Sequence, residues 1–352
     1  MQRFGTISRV ATLLGIACTL LLAGCGSTSS PTTPSSAKKV TLITDIGGLN
    51  DQGFNQLSYQ GYKKALDKYG FTRSVIETKS QDQYVSELTQ AAQNSDLVIG
   101  VGFLMANAMD QVAKANPNKS FALIDACPAK DASGACDNLP NVAPLFFKEQ
   151  EAGCLVGAMA AQMELDGKAK VSKLLGQSTI GAVGGLEIPP VQHYIAGYQY
   201  CAQQVDPAVK VVINYAQSFE DTTKCNDAAT SQINQHQADI IFQVAGGCGI
   251  GALAAAKDKG VYGIGVDSDQ SQINGNVITS AVKRLDTAVY DTISDFQAGK
   301  FTATPPTFDL KMDGVGYGTV SSDVPADAKA KADEYAQKIK DGSLTVPDSI
   351  KG

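Results

Sequence analysis

The chain has no tryptophan and only two histidines, His193 and His236. Any aromatic wall in a binding site must therefore come from Phe or Tyr, and the sequence argues against a histidine-rich metal centre. Net positive charge is also missing. The formal charge is −6 and the pI about 5.0, which argues against nucleic acid as a partner. Charged residues are only 18% of the chain against 43% hydrophobic, so a core can form and global disorder is excluded. No two cysteines stand at Cys-x-x-Cys spacing, and no thiol has an identifiable base beside it, so neither a zinc site nor thiol catalysis is indicated. Beyond the first residues no run is apolar enough for a membrane-spanning helix. What is there is 352 residues, which at roughly 100–200 per domain predicts two domains.

Residues 1–24 read as a secretory signal. Arg3 and Arg9 form a basic start, and Val10 to Ala23 is apolar without an acidic residue. Leu22-Ala23-Gly24-Cys25 follows and resembles a bacterial lipobox, which implies a lipid on Cys25. Residues 25–38 are small and polar with two prolines, the composition of a flexible tether. A lipid, a tether and then a globular body place the protein on the outer face of the cytoplasmic membrane without spanning it. Both charges lost with the signal are arginines, so the body is more acidic than the whole chain.

Of eight cysteines, Cys18 leaves with the signal and Cys25 carries lipid. The rest are Cys127, Cys136, Cys154, Cys201, Cys225 and Cys248, an even set that fits disulfides in an oxidising compartment. Cys127 and Cys136 bracket a Pro/Gly/Asp-containing excursion, so a local bridge is expected there. The other four cannot be paired from sequence.

The body alternates short β-branched runs with amphipathic segments. Val40–Thr44, Leu97–Ile99, Phe121–Ile124, Thr179–Val183, Asp239–Val244 and Gly263–Val266 read as strands. Phe54–Tyr69, Ala152–Met163, Val191–Gln204, Thr222–Gln235 and Leu285–Phe296 read as helices. Alternation of this kind implies parallel sheets built from βαβ units, an α/β fold. The pattern before residue 148 is repeated after it, which favours two similar lobes over a (β/α)₈ barrel, the main competitor. Near the C-terminus, Thr307–Met312 reads as a strand, Gly314–Gly318 as a turn and Pro325–Lys340 as a charged helix. Lys329, Lys331, Lys338 and Lys340 form the solvated face of that helix.

Open parallel sheets bind ligands beyond the carboxyl ends of their strands. The residues standing there are Asp45, Gly102-Phe103, Asp125, Gly184-Gly185, Gly246-Gly247, Asp267 and Asp269. Carboxylates can accept hydrogen bonds from vicinal hydroxyls, and glycines let backbone N–H groups approach a ligand. Both features point to a hydroxyl-rich small molecule. The Gly246–Gly251 run matches no phosphate-loop pattern and reads as a tight strand-to-helix turn.

The stretch Thr41-Leu-Ile-Thr-Asp-Ile-Gly-Gly-Leu-Asn-Asp-Gln-Gly-Phe-Asn55 resembles the N-terminal motif of the basic membrane protein family of PnrA-like lipoproteins. The resemblance continues at Gly102–Met105, at Phe121–Asp125, through Asp239–Asp269 and at Thr279–Arg284. It implies a type I periplasmic-binding-protein fold with Rossmann-like lobes joined by three hinge strands. Residues 39–148 with about 283–305 would form one lobe, and 149–282 with about 306–352 the other. It also implies a monomeric purine-nucleoside receptor for an ABC importer, with no cofactor.

The ligand set implied by the resemblance is Asp45, Asn50, Phe54, Asn55, Phe103, Asp125, Gly246, Asp267 and Lys283. Phe54 would stack on the purine, Asn55 would support its loop and Asp125 would read base nitrogens. Asp267 would clamp the ribose diol and Lys283 would line the closing cleft. Phe103 and Phe242 are candidates for a second stacking ring. Gly53 and Cys248 depart from the family pattern, which usually has Ser and Thr-like residues there. Two other classes stay open: a sensor or surface interaction protein of the same fold, and a nucleoside or glycoside hydrolase using its aspartates.

Overall fold

The structure, a computed structural model, describes residues 38–131 and 135–350. The signal, Cys25 and nearly all of the tether lie outside the described residues.

The first half runs β1 (Val40–Thr44), α1 (Phe54–Tyr69), β2 (Val75–Glu77), α2 (Tyr84–Asn94), β3 (Leu97–Val101), α3 (Ala106–Ala115), β4 (Ser120–Ile124) and β5 (Val142–Leu145). These strands form one parallel sheet in the order β2-β1-β3-β4-β5. The chain then continues through α4 (Glu149–Asp166), β6 (Thr179–Gly184), α5 (Pro189–Val205), β7 (Lys210–Tyr215) and α6 (Thr222–His236). It goes on through β8 (Ile240–Val244), α7 (Gly249–Asp258), β9 (Tyr262–Asp267), β10 (Val277–Lys283), α8 (Leu285–Gln297), β11 (Val315–Tyr317) and α9 (Ala326–Asp341). The second sheet has the order β11-β10-β9-β8-β6-β7. It is parallel except where β11 joins β10. Two open sheets replace the closed ring that a barrel would need, so the fold is the two-sheet α/β arrangement of periplasmic binding proteins.

The central strands β1, β3, β6, β8 and β9 are buried along their whole length, which is why their sequences are apolar runs rather than alternations. Helices cover the faces. α8 follows β10 of the second sheet but packs against α1 of the first, while α9 packs against α4. The chain therefore passes between the sheets more than once. Where it does so, Phe147 forms a lone bridge with Phe308, Phe308 N donates to Phe146 O at 2.8 Å, and Lys148 N donates to Phe308 O at 2.9 Å.

The C-terminal reading needs correcting. Thr307–Met312 is not a strand: apart from the Phe308 bridge it is irregular and ends in a turn. Phe308 and Leu310 are both buried, which mimics strand alternation, but Leu310 N bonds the Glu151 carboxylate at 2.8 Å instead of a sheet partner. Gly314–Gly318, read as a turn from its glycines, contains β11, where pairing with β10 overrides local propensity. The other element boundaries shift by a few residues. α7 begins at Gly249, inside the Gly246–Gly251 run that reads as a turn, because its glycines conceal the first helical turn.

In each sheet the strand order reverses direction next to a central strand, at β1/β3 in the first and at β6/β8 in the second. Crevices open beyond the carboxyl ends of strands at such switch points. Here the two crevices form one cleft.

Candidate functional site

The cleft is lined from both sheets. Asp45, Phe54, Asn55, Phe103 and Asp125 come from the first, and Gly246, Asp267 and Lys283 from the second. Of the residues expected from sequence, Asn50 is exposed and not part of the lining. Phe242 does not line it either. It is fully buried in the second sheet, 5.0 Å from the Tyr198 ring and 6.2 Å from that of Tyr194. Asp269 is exposed and accepts from Thr319 N at 3.0 Å and Ser271 N at 3.1 Å, a structural role away from the cleft.

The wall from the first sheet is held by hydrogen bonds. Asp45 follows β1, and its carboxylate accepts from Ile46 N at 2.8 Å and from the Tyr84 hydroxyl. Asn55 pins the same turn, its Oδ1 accepting from Asp45 N at 2.9 Å and its Nδ2 donating to Ile46 O at 3.1 Å. Asp51 sits at the start of α1 and accepts from the backbone N–H groups of Gly53, Asn55 and Gln56 at 2.7–3.1 Å. A carboxylate there satisfies the unpaired donors and suits the helix dipole. Phe54, the first residue of α1, is thereby fixed at the cleft edge. Gly102 has φ +113°, and a Cβ on it would lie 2.3 Å from the Asp45 carboxylate, so only glycine fits after β3.

Asp125 and Asp267 hold equivalent places, one after β4 and one ending β9. Both adopt positive φ, 65° and 61°, a region that aspartate tolerates better than most side chains. Between them lies Lys283 at the end of β10, 1% exposed. Its ammonium is 2.7 Å from Asp125, 3.3 Å from Glu149 and 4.0 Å from Asp267. The rings of Phe54, Phe147 and Tyr194 stand 5.1–5.7 Å from it. Tyr194 donates to Asp267 at 3.1 Å. One oxygen of Asp125 is buried without a hydrogen-bond partner among the described residues, as an acceptor awaiting a donor would be.

Over residues 38–349 the sequence matches the Bmp family, described as ABC transporter substrate-binding protein PnrA-like. The chain belongs to the Bmp family. The ABC transporter nucleoside-binding protein BmpA of Lactococcus lactis is 31% identical to it, with 95% of this chain and 97% of that protein covered. An uncharacterized lipoprotein of Pyrococcus abyssi is 32% identical over 87% of this chain and 75% of its own. Among solved structures, a solute-binding protein of an ABC transporter system from Aeropyrum pernix superposes with a TM-score of 0.78 at 27% identity, covering 88% of this chain and 94% of that one. This Bmp-family chain is therefore a solute-binding component of an ABC transporter and not an enzyme. Its ligand is a small molecule and its partner a permease.

The electrostatics of the Bmp-family cleft suit an uncharged ligand with hydroxyl or N–H donors. Burial raises Asp45 and Asp267 to about 6 and Asp125 to about 7, the last two despite the attraction of Lys283. Burial alone would lower Lys283, but Asp125, Glu149 and Asp267 outweigh it and hold the ammonium above its usual value. Asp45, Asp51, Asp125 and Asp267 line the cleft against a single ammonium, which works against anions. Among the described residues no set of His, Cys, Asp and Glu could hold a metal ion.

Three contributors escaped the sequence reading. Tyr194 lies inside a helical run that reads as core. Glu149 precedes the apolar part of α4. Phe219 sits in the loop after β7 and lines the cleft beside Gly246 and Gly247. His193 is half-buried with Nδ1 3.2 Å from Glu149 Oε2, the oxygen of that carboxylate that Lys283 does not bond. The lysines of α9 are solvated, in surface pairs such as Lys329 with Asp333 and Lys338 with Glu334.

Proposed function

We propose that this protein captures a purine nucleoside between its two sheets and presents it to the permease of an ABC importer, held on the outer face of the membrane by a lipid on Cys25. The observation carrying this reading is convergence. Carboxylates from both sheets and the rings of Phe54, Phe103, Phe219 and Tyr194 meet in one cleft. Aromatic rings and buried acceptors together match a ligand with a flat base and a polyhydroxyl sugar. Stacking of a base contributes about 1–3 kcal/mol. Hydrogen bonds from sugar hydroxyls to an ionised Asp267 are charge-assisted and about twice as strong as neutral ones. The donor-seeking oxygen of Asp125 would take a base N–H, Phe54 would stack, and Phe219 is the better candidate for the second ring. The names of the Lactococcus and Pyrococcus relatives support the nucleoside and the lipid anchor respectively.

Residues 39–148 with about 283–305 act as one lobe and 149–282 with about 306–352 as the other. Packing of α8 on α1 and of α9 on α4 supports that division. Closure would turn about the crossing segments at Phe147–Lys148, Lys283–Arg284 and Phe308.

Calorimetry with adenosine, guanosine, inosine and adenine tests the proposal. The nucleosides bind and adenine binds at least about tenfold more weakly, because an aspartate left unpaired in a closed cleft is costly. Equal affinity for adenosine and adenine contradicts the sugar clamp.

A further inference from the structure

The disulfides Cys127–Cys136, Cys154–Cys201 and Cys225–Cys248 occupy different surroundings. Cys154–Cys201 joins α4 to α5 deep in the core, and neither cysteine touches the cleft. Cys225 lies in the first turn of α6, and Cys248 directly follows the Gly246-Gly247 turn that lines the cleft.

We propose that Cys225–Cys248 positions the second-sheet wall of the cleft, holding Phe219 and the Gly246-Gly247 turn as one preformed surface for the ligand. This rests on the reading above that the cleft is where the ligand binds. The local geometry ties every part of that surface to the bridge. Cys248 N donates to Phe219 O at 2.9 Å. The loop carrying Phe219 is closed by Ser218, whose Oγ accepts from Glu220 N at 3.1 Å and Asp221 N at 2.9 Å. Asp221 then caps α6 through Thr223 N at 3.0 Å, one turn before Cys225. Behind the ring, a Cβ on Gly185 would lie 2.3 Å from Phe219, so the ring fills space that only glycine leaves open.

Between loop and turn, the backbone supplies the single Cys248–Phe219 hydrogen bond, helices α6 and α7 pack together behind it, and the bridge adds a covalent tie. Without it both segments must be ordered when ligand arrives, and that ordering is subtracted from affinity. Cys248 pairs with Cys225, and that pairing stiffens the proposed binding surface.

The test compares two bridge deletions in the full chain, Cys225→Ala/Cys248→Thr and Cys154→Ala/Cys201→Ala. Melting temperature, affinity for adenosine, guanosine and inosine, and amide exchange at residues 218–222 and 246–249 without ligand are measured on each. The cleft-side pair loses about tenfold or more in affinity, with faster exchange in those segments. The core pair lowers the melting temperature but leaves affinity within about twofold and that exchange unchanged. Gly185→Ala, which displaces the Phe219 ring with both bridges intact, lowers affinity as well and covers the case of a double variant that does not fold. Affinity falling in both deletions in step with melting temperature overturns the proposal, as does a cleft-side deletion that keeps its affinity and protection. If the unaltered protein binds no nucleoside, the ligand reading fails instead, and the exchange measurement still decides the role of the bridge.

Discussion

The two walls of the cleft are held by different chemistry. On the first sheet, Asp45, Asp51, Asn55 and Tyr84 form a buried hydrogen-bond network that fixes the turn before Phe54. On the second, a glycine turn and an aromatic loop depend on the Cys225–Cys248 bridge. Both walls carry titratable carboxylates, Asp45 and Asp125 on the first and Asp267 on the second. The second is also covalently tied. Lys283 stands at the seam, binding Asp125 from one wall, Asp267 from the other and Glu149 at the crossing. In the proposed reading, recognition and closure share one buried charge cluster.

Breaking the seam should have the largest effect. Lys283→Met leaves buried carboxylates unpaired and costs about 3–5 kcal/mol of stability, read by urea unfolding. Removing a carboxylate from one wall comes next. Asp267→Ala keeps the circular-dichroism spectrum but lowers nucleoside affinity by about a hundredfold, because the sugar hydroxyls lose a charged acceptor. The aromatic walls can then be weighed against each other. Phe54→Ala and Phe219→Ala each cost about 1–3 kcal/mol of binding by calorimetry, and comparable losses would show that the base is sandwiched.

The smallest effect is the response to pH. Asp45, Asp125 and Asp267 have folded-state values raised to about 6–7 by burial, so the folded protein holds protons there that the unfolded chain releases above about pH 4. Their contribution to stability is present at low pH and is lost as pH rises toward 7. The ligand-free protein should melt at a higher temperature at pH 5.5 than at pH 8. Nucleoside affinity runs the opposite way, rising through the same window as the acceptors ionise. Asp45→Asn reduces the stability difference, whereas Cys225→Ala/Cys248→Thr leaves it intact.

Much of this was legible in the sequence, for definable reasons. Buried parallel strands write themselves as apolar runs, and the residue ending each run falls where open sheets place ligands, so Asp45, Asp125 and Asp267 could be named together. α1 has the predicted bounds because its apolar spacing and the glycine that ends it agree. The bridge between Cys127 and Cys136 was foreseeable because the loop between them is short. The other two bridges join segments that only tertiary folding brings together. Phe219 and Tyr194 were missed because a lone ring in a polar loop, or in an amphipathic helix, carries no local mark of what it faces. β11 was missed because its glycines signal a turn while its partner strand lies outside any local window.

The most direct test is to denature the freshly purified protein and identify by mass spectrometry the small molecule it releases. Recovery of a purine nucleoside near one equivalent is the expected result. Release of a sugar or an amino acid with no heteroaromatic base would contradict the assignment of the cleft.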